Sequence, residues 1–209
     1  MEFENKNTKK FLEKSRVSLI FSKERVDYLK KVEKHFKKLM QDLKLTYEKK
    51  ENEITLSTNE YTRDPCAIIK GKSILSVLSR GSDLETAILF LKDEDISYEI
   101  VNIEEETRGK GVMVNRRNRL LEKDTLNAIQ EMTGCKVFVY GKTVTTIGKY
   151  KGVNESVRII INCMKNKHPV YELRRLMVKR ELEDKKELKT EDWDKLLPEV
   201  KKKVQKKKK

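Results

Sequence analysis

Twice along the chain a hairpin pattern runs on into an amphipathic helix, and this doubling limits the possible folds more than any other feature. The first hairpin is KLTYEKKENEITLST (44–58), turning at Lys49–Asn52; the second is KVFVYGKTVTTIG (136–148), with Gly141–Lys142 as a two-residue turn. Each is preceded by a strand candidate, SLIF (18–21) and ISYEIVNI (96–103), and by helical periodicity between strand and hairpin. Strands and helices mixed in one short block, used twice, predict an α+β fold of two similar units packed together. The two halves share pattern and almost no identity.

Local signals place the elements. A helix opens at Ser22 with Phe21 and Val26 at staple positions, and carries Val26, Leu29, Val32, Phe36, Leu39, Met40 and Leu43 on one face. Asp64–Pro65 starts a second helix that runs to Arg80 and stops at Gly81. Ser82 and Glu85 have capping-box spacing for a short helix bearing Leu84, Ala87, Ile88 and Leu91. In the second half, Asp124 is the expected cap of a helix with Leu126, Ile129 and Met132, ended by Gly134. Asn154 is the expected cap of a helix with Val157, Ile160, Ile161 and Met164. Two further helix candidates follow His168–Pro169, one with Tyr171, Leu173, Leu176 and Met177, the other capped by Thr190 and stopped by Pro198. The expected organisation is a polar extension (1–16), a first unit (17–95), a second unit (96–166), C-terminal helices (167–198) and a lysine-rich tail (199–209).

Charge narrows the partners. The net charge is +14, and residues 165–209 hold 17 Lys/Arg against 9 Asp/Glu. Such a surplus suits nucleic acid or an anionic surface. No apolar run approaches the roughly 18 residues of a membrane span, and the N-terminus lacks a secretory signal pattern, so no membrane partner and an intracellular setting are expected. Cys66, Cys135 and Cys163 are widely spaced and odd in number, which argues for core thiols rather than a disulfide framework or a metal site. The lysine tail reads as an import address or as an RNA contact.

Catalytic patterns are absent: no nucleophile elbow, HExxH or paired carboxylates occur. Gly71–Lys72–Ser73 mimics the end of a Walker loop, but Cys66 stands where the first glycine is required and the segment reads as helix interior. RGKGV (108–112) reads as a flexible linker. His35 and His168 carry no expected chemical role. Neither a catalytic residue, a cofactor, a metal nor a small-molecule substrate is expected.

The stretch VNRRNRLLEKDTLNAIQEMTG (114–134) is different. Between 108 and 123 the basic residues Arg108, Lys110, Arg116, Arg117, Arg119 and Lys123 face one acid, Glu122. Arg116 and Arg119 share a helix face with Arg117 beside them, a spacing at which guanidinium forks can meet successive phosphates. The competing arrangement pairs them with the acidic run Glu104–Glu106. Exposed pairs are worth under ~1 kcal/mol, so the polyanion reading is preferred.

These blocks, in the order strand, basic helix, turn, helix, hairpin, long helix, resemble a KH module, and the chain resembles the KRR-R-motif KH proteins of the small-subunit processome. NRRNR (115–119) stands at the place of that family's Lys-Arg-Arg-x-Arg signature. The segment from Gly141 to Leu182, with its Met-Lys-Asn-x-His-Pro at 164–169 and Lys-Arg-Glu-Leu at 179–182, resembles the family almost throughout, and WDKLLP (193–198) follows. In the first half, DPCAIIKGKSILSVLSRG and SDLETAILFLKDED resemble its first, degenerate KH unit. Two departures stand out. Asn115 replaces the leading lysine, and the Gly-x-x-Gly loop is missing, with Glu122 and Lys123 in its place. Glycines in that loop let backbone amides reach phosphates, and side chains block the approach.

The resemblance implies a non-enzymatic factor of nucleus and nucleolus that binds pre-ribosomal RNA and other processome proteins. Arg108, Arg116, Arg117, Arg119, Lys123, Lys142 and Lys149 are the expected RNA contacts, with recognition by shape and position. The alternative is a protein-docking scaffold, in which Trp193, Leu196 and Leu197 would dock a neighbour.

Overall fold

The computed structural model describes residues 13–93, 95–107, 109–184 and Leu197. In chain order these residues form β1 (Arg16–Ile20), α1 (Lys23–Asp42), β2 (Leu45–Lys50), β3 (Glu53–Thr58), α2 (Cys66–Ser79), α3 (Leu84–Lys92), β4 (Ile96–Asn102), α4 (Lys110–Leu121), α5 (Lys123–Thr133), β5 (Lys136–Tyr140), β6 (Thr143–Lys149), α6 (Tyr150–Met164) and α7 (Pro169–Asp184). The two antiparallel sheets have matching order, β1-β3-β2 and β4-β6-β5. Each hairpin lends its second strand to the centre, where the strand preceding the helices pairs with it: Val17 faces Leu56, and Val101 faces Val144. The fold is thus two tandem KH-type α+β units followed by C-terminal helix.

Alternation decides which face of each sheet is covered. In the first sheet Ile54, Leu56 and Thr58 are buried beneath α1 and α2, while the opposite face is open and leaves Ile20 81% exposed. The second sheet is covered on both faces, so β6 is buried from Thr143 to Ile147. Val101, Val137, Val139 and Val144 point into the second core with α4, α5 and α6. Ile96, Tyr98, Phe138 and Ile147 point the other way and join the first core. The two units therefore share one apolar interior. Polar contacts rim the junction: Ser22 Oγ meets Tyr140 Oη at 2.5 Å, Tyr140 Oη donates to Glu24 Oε2 at 3.2 Å, and Lys136 Nζ reaches Thr86 Oγ1 at 3.4 Å. Gly81 (φ +99°) ends α2 here, and a Cβ at that position would lie 2.9 Å from the Cβ of Tyr140. Only glycine satisfies both the backbone angle and the approach.

The hairpins and most helix bounds follow the sequence reading; several caps do not. Ser22 sits at the N-cap of α1, and Phe21 and Val26 are both buried, but the serine hydroxyl goes to Tyr140 instead of the helix. The Ser82–Glu85 capping box does not form. α3 starts after Asp83, Ser82 is buried with its hydroxyl unpartnered, and the Leu84 amide donates to Tyr28 Oη at 3.0 Å. Asn154 lies inside α6, which begins four residues earlier because β6 passes into it through the extended Lys149. RGKGV is no linker from Gly109 onward: Gly109 (φ 97°) is the N-cap of α4. Cys135 and Cys163 are buried as expected, whereas Cys66 is exposed at the start of α2. Gly71 lies within α2 against Leu45 and Leu56, a packing glycine with no phosphate loop around it. Among the described residues no helix is long and apolar enough to cross a membrane.

Candidate nucleic-acid interface

The break between α4 and α5 is a single residue, Glu122 (φ −55°, ψ 123°). Hydrophobic phase explains it. Met113 and Leu120 are the buried positions of α4. Continuing their stripe at helical spacing would bury Asp124, Asn127 and Glu131. The apolar residues are instead Leu126, Ile129 and Met132, so the chain must rotate before the second helix can face the core. Glu122 makes the rotation in one extended step. Its N–H donates to Asn118 O at 3.2 Å, and its carbonyl accepts the Leu126 N–H at 2.9 Å. Asp124, the expected cap, consequently falls inside the first turn of α5.

No glycine lies in this turn, and Glu122, Lys123 and Asp124 are exposed. It offers side chains, not backbone amides, to a ligand. The arginines stand immediately before it, all half-buried. None pairs with a carboxylate of a described residue. Arg116 Nη1 donates to the Met164 carbonyl, and Arg119 Nη1 to Asn166 Oδ1 at 3.3 Å. Both therefore reach the C-terminal end of α6, where unpaired carbonyls make a helix end negative. Asn166, with φ 68°, closes that end by donating its N–H to Cys163 O. Burial pushes the Cys163 thiol up to about 11, and the nearby Arg119 and Arg116 pull the other way. Arg117 makes no ion pair with a described residue, and its Nε is buried without a hydrogen-bond partner. Lys123 is exposed and makes no ion pair with a described residue.

The acidic run takes lysines instead. Glu104 holds Lys142 Nζ at 2.7 and 2.8 Å, and Glu106 lies 3.5 Å from Lys165. Arg116, Arg117, Arg119 and Lys123 are thus brought together at the turn. Lys142 sits on the β5–β6 turn, engaged by Glu104, and Lys149 is exposed at the start of α6, beyond the far end of α5. Arg108, Trp193 and Leu196 lie outside the described residues; Leu197 is 8% exposed. The contact of Arg116 and Arg119 with the Met164–Asn166 segment was not foreseen. Its two ends lie in blocks read separately, almost fifty positions apart, with no local pattern to join them.

The first unit has no equivalent turn. α1 carries one unbroken buried stripe, Val26, Leu29, Phe36 and Met40, through its twenty residues. Two of its lysines are paired on the same helix, Lys30 with Asp27 and Lys37 with Glu33.

Residues 15–93 match the family description "Krr1 KH1 domain", and residues 96–184 match "KRR1 small subunit processome component, second KH domain". The chain belongs to the KRR1 family. Among solved structures this KRR1-type chain is similar to Dim2p of Pyrococcus horikoshii OT3, at 25% identity over 78% of this chain and 99% of the other, with a TM-score of 0.69. It is also similar to a chain of the a/eIF2alpha–aDim2p–rRNA complex from Pyrococcus horikoshii OT3, at 24% identity over 81% and 96%, with a TM-score of 0.72. A protein of unknown function from Aeropyrum pernix shares the fold at 19% identity over 88% and 99%, with a TM-score of 0.71. In KRR1 terms, the arginine helix and the glycine-free turn lie in the second KH unit, and the fused helix α1 in the first.

Proposed function

We propose that this chain is a non-enzymatic assembly factor that binds pre-ribosomal RNA during small-subunit maturation. It would act in the nucleolus among other proteins of the processome. The observation that carries this reading is the basic turn of a KRR1-type second KH unit whose arginines pair with no carboxylate among the described residues. The likeness to Dim2p, and to a chain of a complex of aDim2p with rRNA, supports the same class of ligand. Lacking glycines, the turn would hold phosphates through Arg117, Lys123 and the outer edges of Arg116 and Arg119, with little readout of bases.

If four to six phosphates are neutralised, affinity for single-stranded RNA falls with salt at a log–log slope of about −3 to −4. A slope near zero in a filter-binding titration overturns the reading. A second reading, a protein-docking scaffold, is favoured by one feature: Arg116 and Arg119 already have partners within the chain. Changing Arg116, Arg117 and Arg119 to alanine separates the two. Loss of particle association supports RNA contact, and full retention supports docking.

A further inference from the structure

At the opposite end of α5 lies a second feature that the arginine turn does not use. β6 passes into α6 through Lys149–Tyr150–Lys151, all three exposed, with Tyr150 67% open to solvent. Neither lysine has an ion-pair partner among the described residues. Beside them opens a cleft of about 610 Å³ between α5, α6 and α7, its rim carrying Lys151, Lys179 and Arg180 and its lining including Met132 and Leu176. Glu155, the acid in that lining, is already bracketed by Lys179 Nζ at 2.5 Å and Arg158 Nη2 at 2.7 Å. Gly152 lets the two helix ends close up, since a Cβ there would lie 2.3 Å from the Thr133 carbonyl oxygen.

The charge arrangement is one that folding alone disfavours. The positive end of a helix is stabilised by acids, yet the first turn of α6 has none, its cap residue is a lysine, and no side chain caps its amides. An exposed aromatic flanked by free cations, next to a cleft with a cationic rim and partly apolar lining, is the composition of a single-strand contact. A base stacks on the ring while the cations take the adjoining phosphates.

We infer that the Lys149–Tyr150–Lys151 corner, with the cleft beside it, is a second contact for single-stranded RNA, separate from the α4–α5 turn; this rests on the RNA-binding reading above. Tyr150 stacks one unpaired base, and Lys149 and Lys151 hold the flanking phosphates. α5 sets the spacing. Its eleven residues span roughly 16 Å at 1.5 Å per residue, about five nucleotides of a stacked strand at ~3.4 Å each. One RNA segment can therefore touch both sites.

The test is fluorescence anisotropy of the full chain with a labelled single-stranded oligoadenylate of about 12 nucleotides, a length within the site sizes of such proteins. Tyr150→Ala is expected to weaken binding about tenfold, with the salt slope and melting temperature unchanged, since stacking releases no counterions. Tyr150→Phe keeps the ring and stays within about twofold of the parent. Lys149→Ala with Lys151→Ala makes the slope shallower by about 1.4, two phosphates at ~0.7 each. Parent-like binding by Tyr150→Ala overturns the inference. So does equal damage from Tyr150→Phe, or loss of particle association with RNA affinity intact, which would mark a protein contact instead. If the unsubstituted chain fails to bind, the RNA-binding reading itself fails; if it binds through Lys123 and Arg117 but not Tyr150, only this second site does.

Discussion

The two KH units differ most where their topology is most alike. Between first strand and hairpin, the first unit has one helix of twenty residues and the second has helices of twelve and eleven residues joined at Glu122. Strand order, pairing and the helix behind the sheet are the same in both. What differs is hydrophobic phase: α1 keeps its stripe in register along its whole length, and the second unit slips phase and must bend. A turn at this point is thus a product of interrupted periodicity, and a KH unit whose stripe runs through loses the turn without losing the fold. Cationic residues follow the same division. The unit that bends keeps an arginine cluster at the bend, and the unit that does not bend spends some of its lysines on pairs along its own helix.

The largest expected effect tests how tightly the helix after each hairpin is fitted. A Cβ on Gly152 would meet the Thr133 carbonyl oxygen at 2.3 Å and Cys135 Sγ at 2.7 Å, and the oxygen belongs to backbone that cannot yield cheaply. Gly152→Ala should cost about 3 kcal/mol. A Cβ on Gly71 in the first unit would meet only the tips of Leu45 and Leu56, at 2.8 and 3.0 Å. Those side chains can turn, and alanine gains about 1 kcal/mol of helix propensity over glycine, so Gly71→Ala should cost about 1 kcal/mol or less. Urea denaturation of both variants checks the asymmetry; equal costs would mean the units are equally close-packed at these helices.

Next in size is the difference in RNA contact. Arg117→Ala combined with Lys123→Ala should weaken single-stranded RNA binding by about 2 kcal/mol, roughly thirtyfold, from two lost charge-assisted contacts. Lys34 and Lys38, both exposed on α1, should be replaceable by alanine with no more than about a twofold change. A comparable loss from the α1 pair would move the RNA path onto the first unit.

Arg116 has a smaller and different signature. Because it donates to the Met164 carbonyl at the end of α6, Arg116→Ala should lower stability by about 1 kcal/mol, measured by thermal melting without RNA. In the first unit the end of α2 is held from the N-terminal turn of α1, where Arg25 Nε donates to Leu78 O at 2.8 Å and Nη2 to Ser82 O. Burial holds the pKa of this Arg25 guanidinium below its usual value. The helix end is served in both units by an arginine from the preceding helical segment.

Much of this was readable from sequence, and the failures share a cause. Alternation and a two-residue turn placed Gly141–Lys142, and the stripe from Val26 to Met40 placed α1, because these patterns are set by neighbours in the chain. Ser22, Ser82 and Asp124 each carry the chemistry of a cap, and none caps. The Ser22 hydroxyl is taken by Tyr140 from the other unit, the amide expected to need Ser82 is met by Tyr28, and the phase slip at Glu122 starts α5 ahead of Asp124. Capping rules assume a helix end must satisfy itself, whereas packing of two units brings distant partners to it. Arg116 shows the same limit from the other side. Its sequence neighbourhood describes a polyanion-facing cation, and only the fold reveals that one of its nitrogens already faces a carbonyl.

The smallest effect comes from the hairpin turns, where the two units carry opposite charge: Glu51 on the first, Lys142 on the second, both exposed. Lys142 is held by Glu104 at 2.7 Å, with their side chains 54% and 41% exposed, a surface pair worth under ~1 kcal/mol. A phosphate approaching Lys142 must compete with that carboxylate and is repelled by it. Glu104→Gln removes the competitor and leaves the lysine in place, so stability should change by less than ~0.5 kcal/mol. If the turn lies on the RNA path, affinity should rise about twofold and the salt slope should steepen by about 0.7, one additional phosphate. Charge reversal at Glu51→Lys should change neither, because the first unit has no bend to bring a strand across its turn. A gain from Glu51→Lys equal to that from Glu104→Gln would mean that added positive charge anywhere suffices, and that the arginine turn fixes no path.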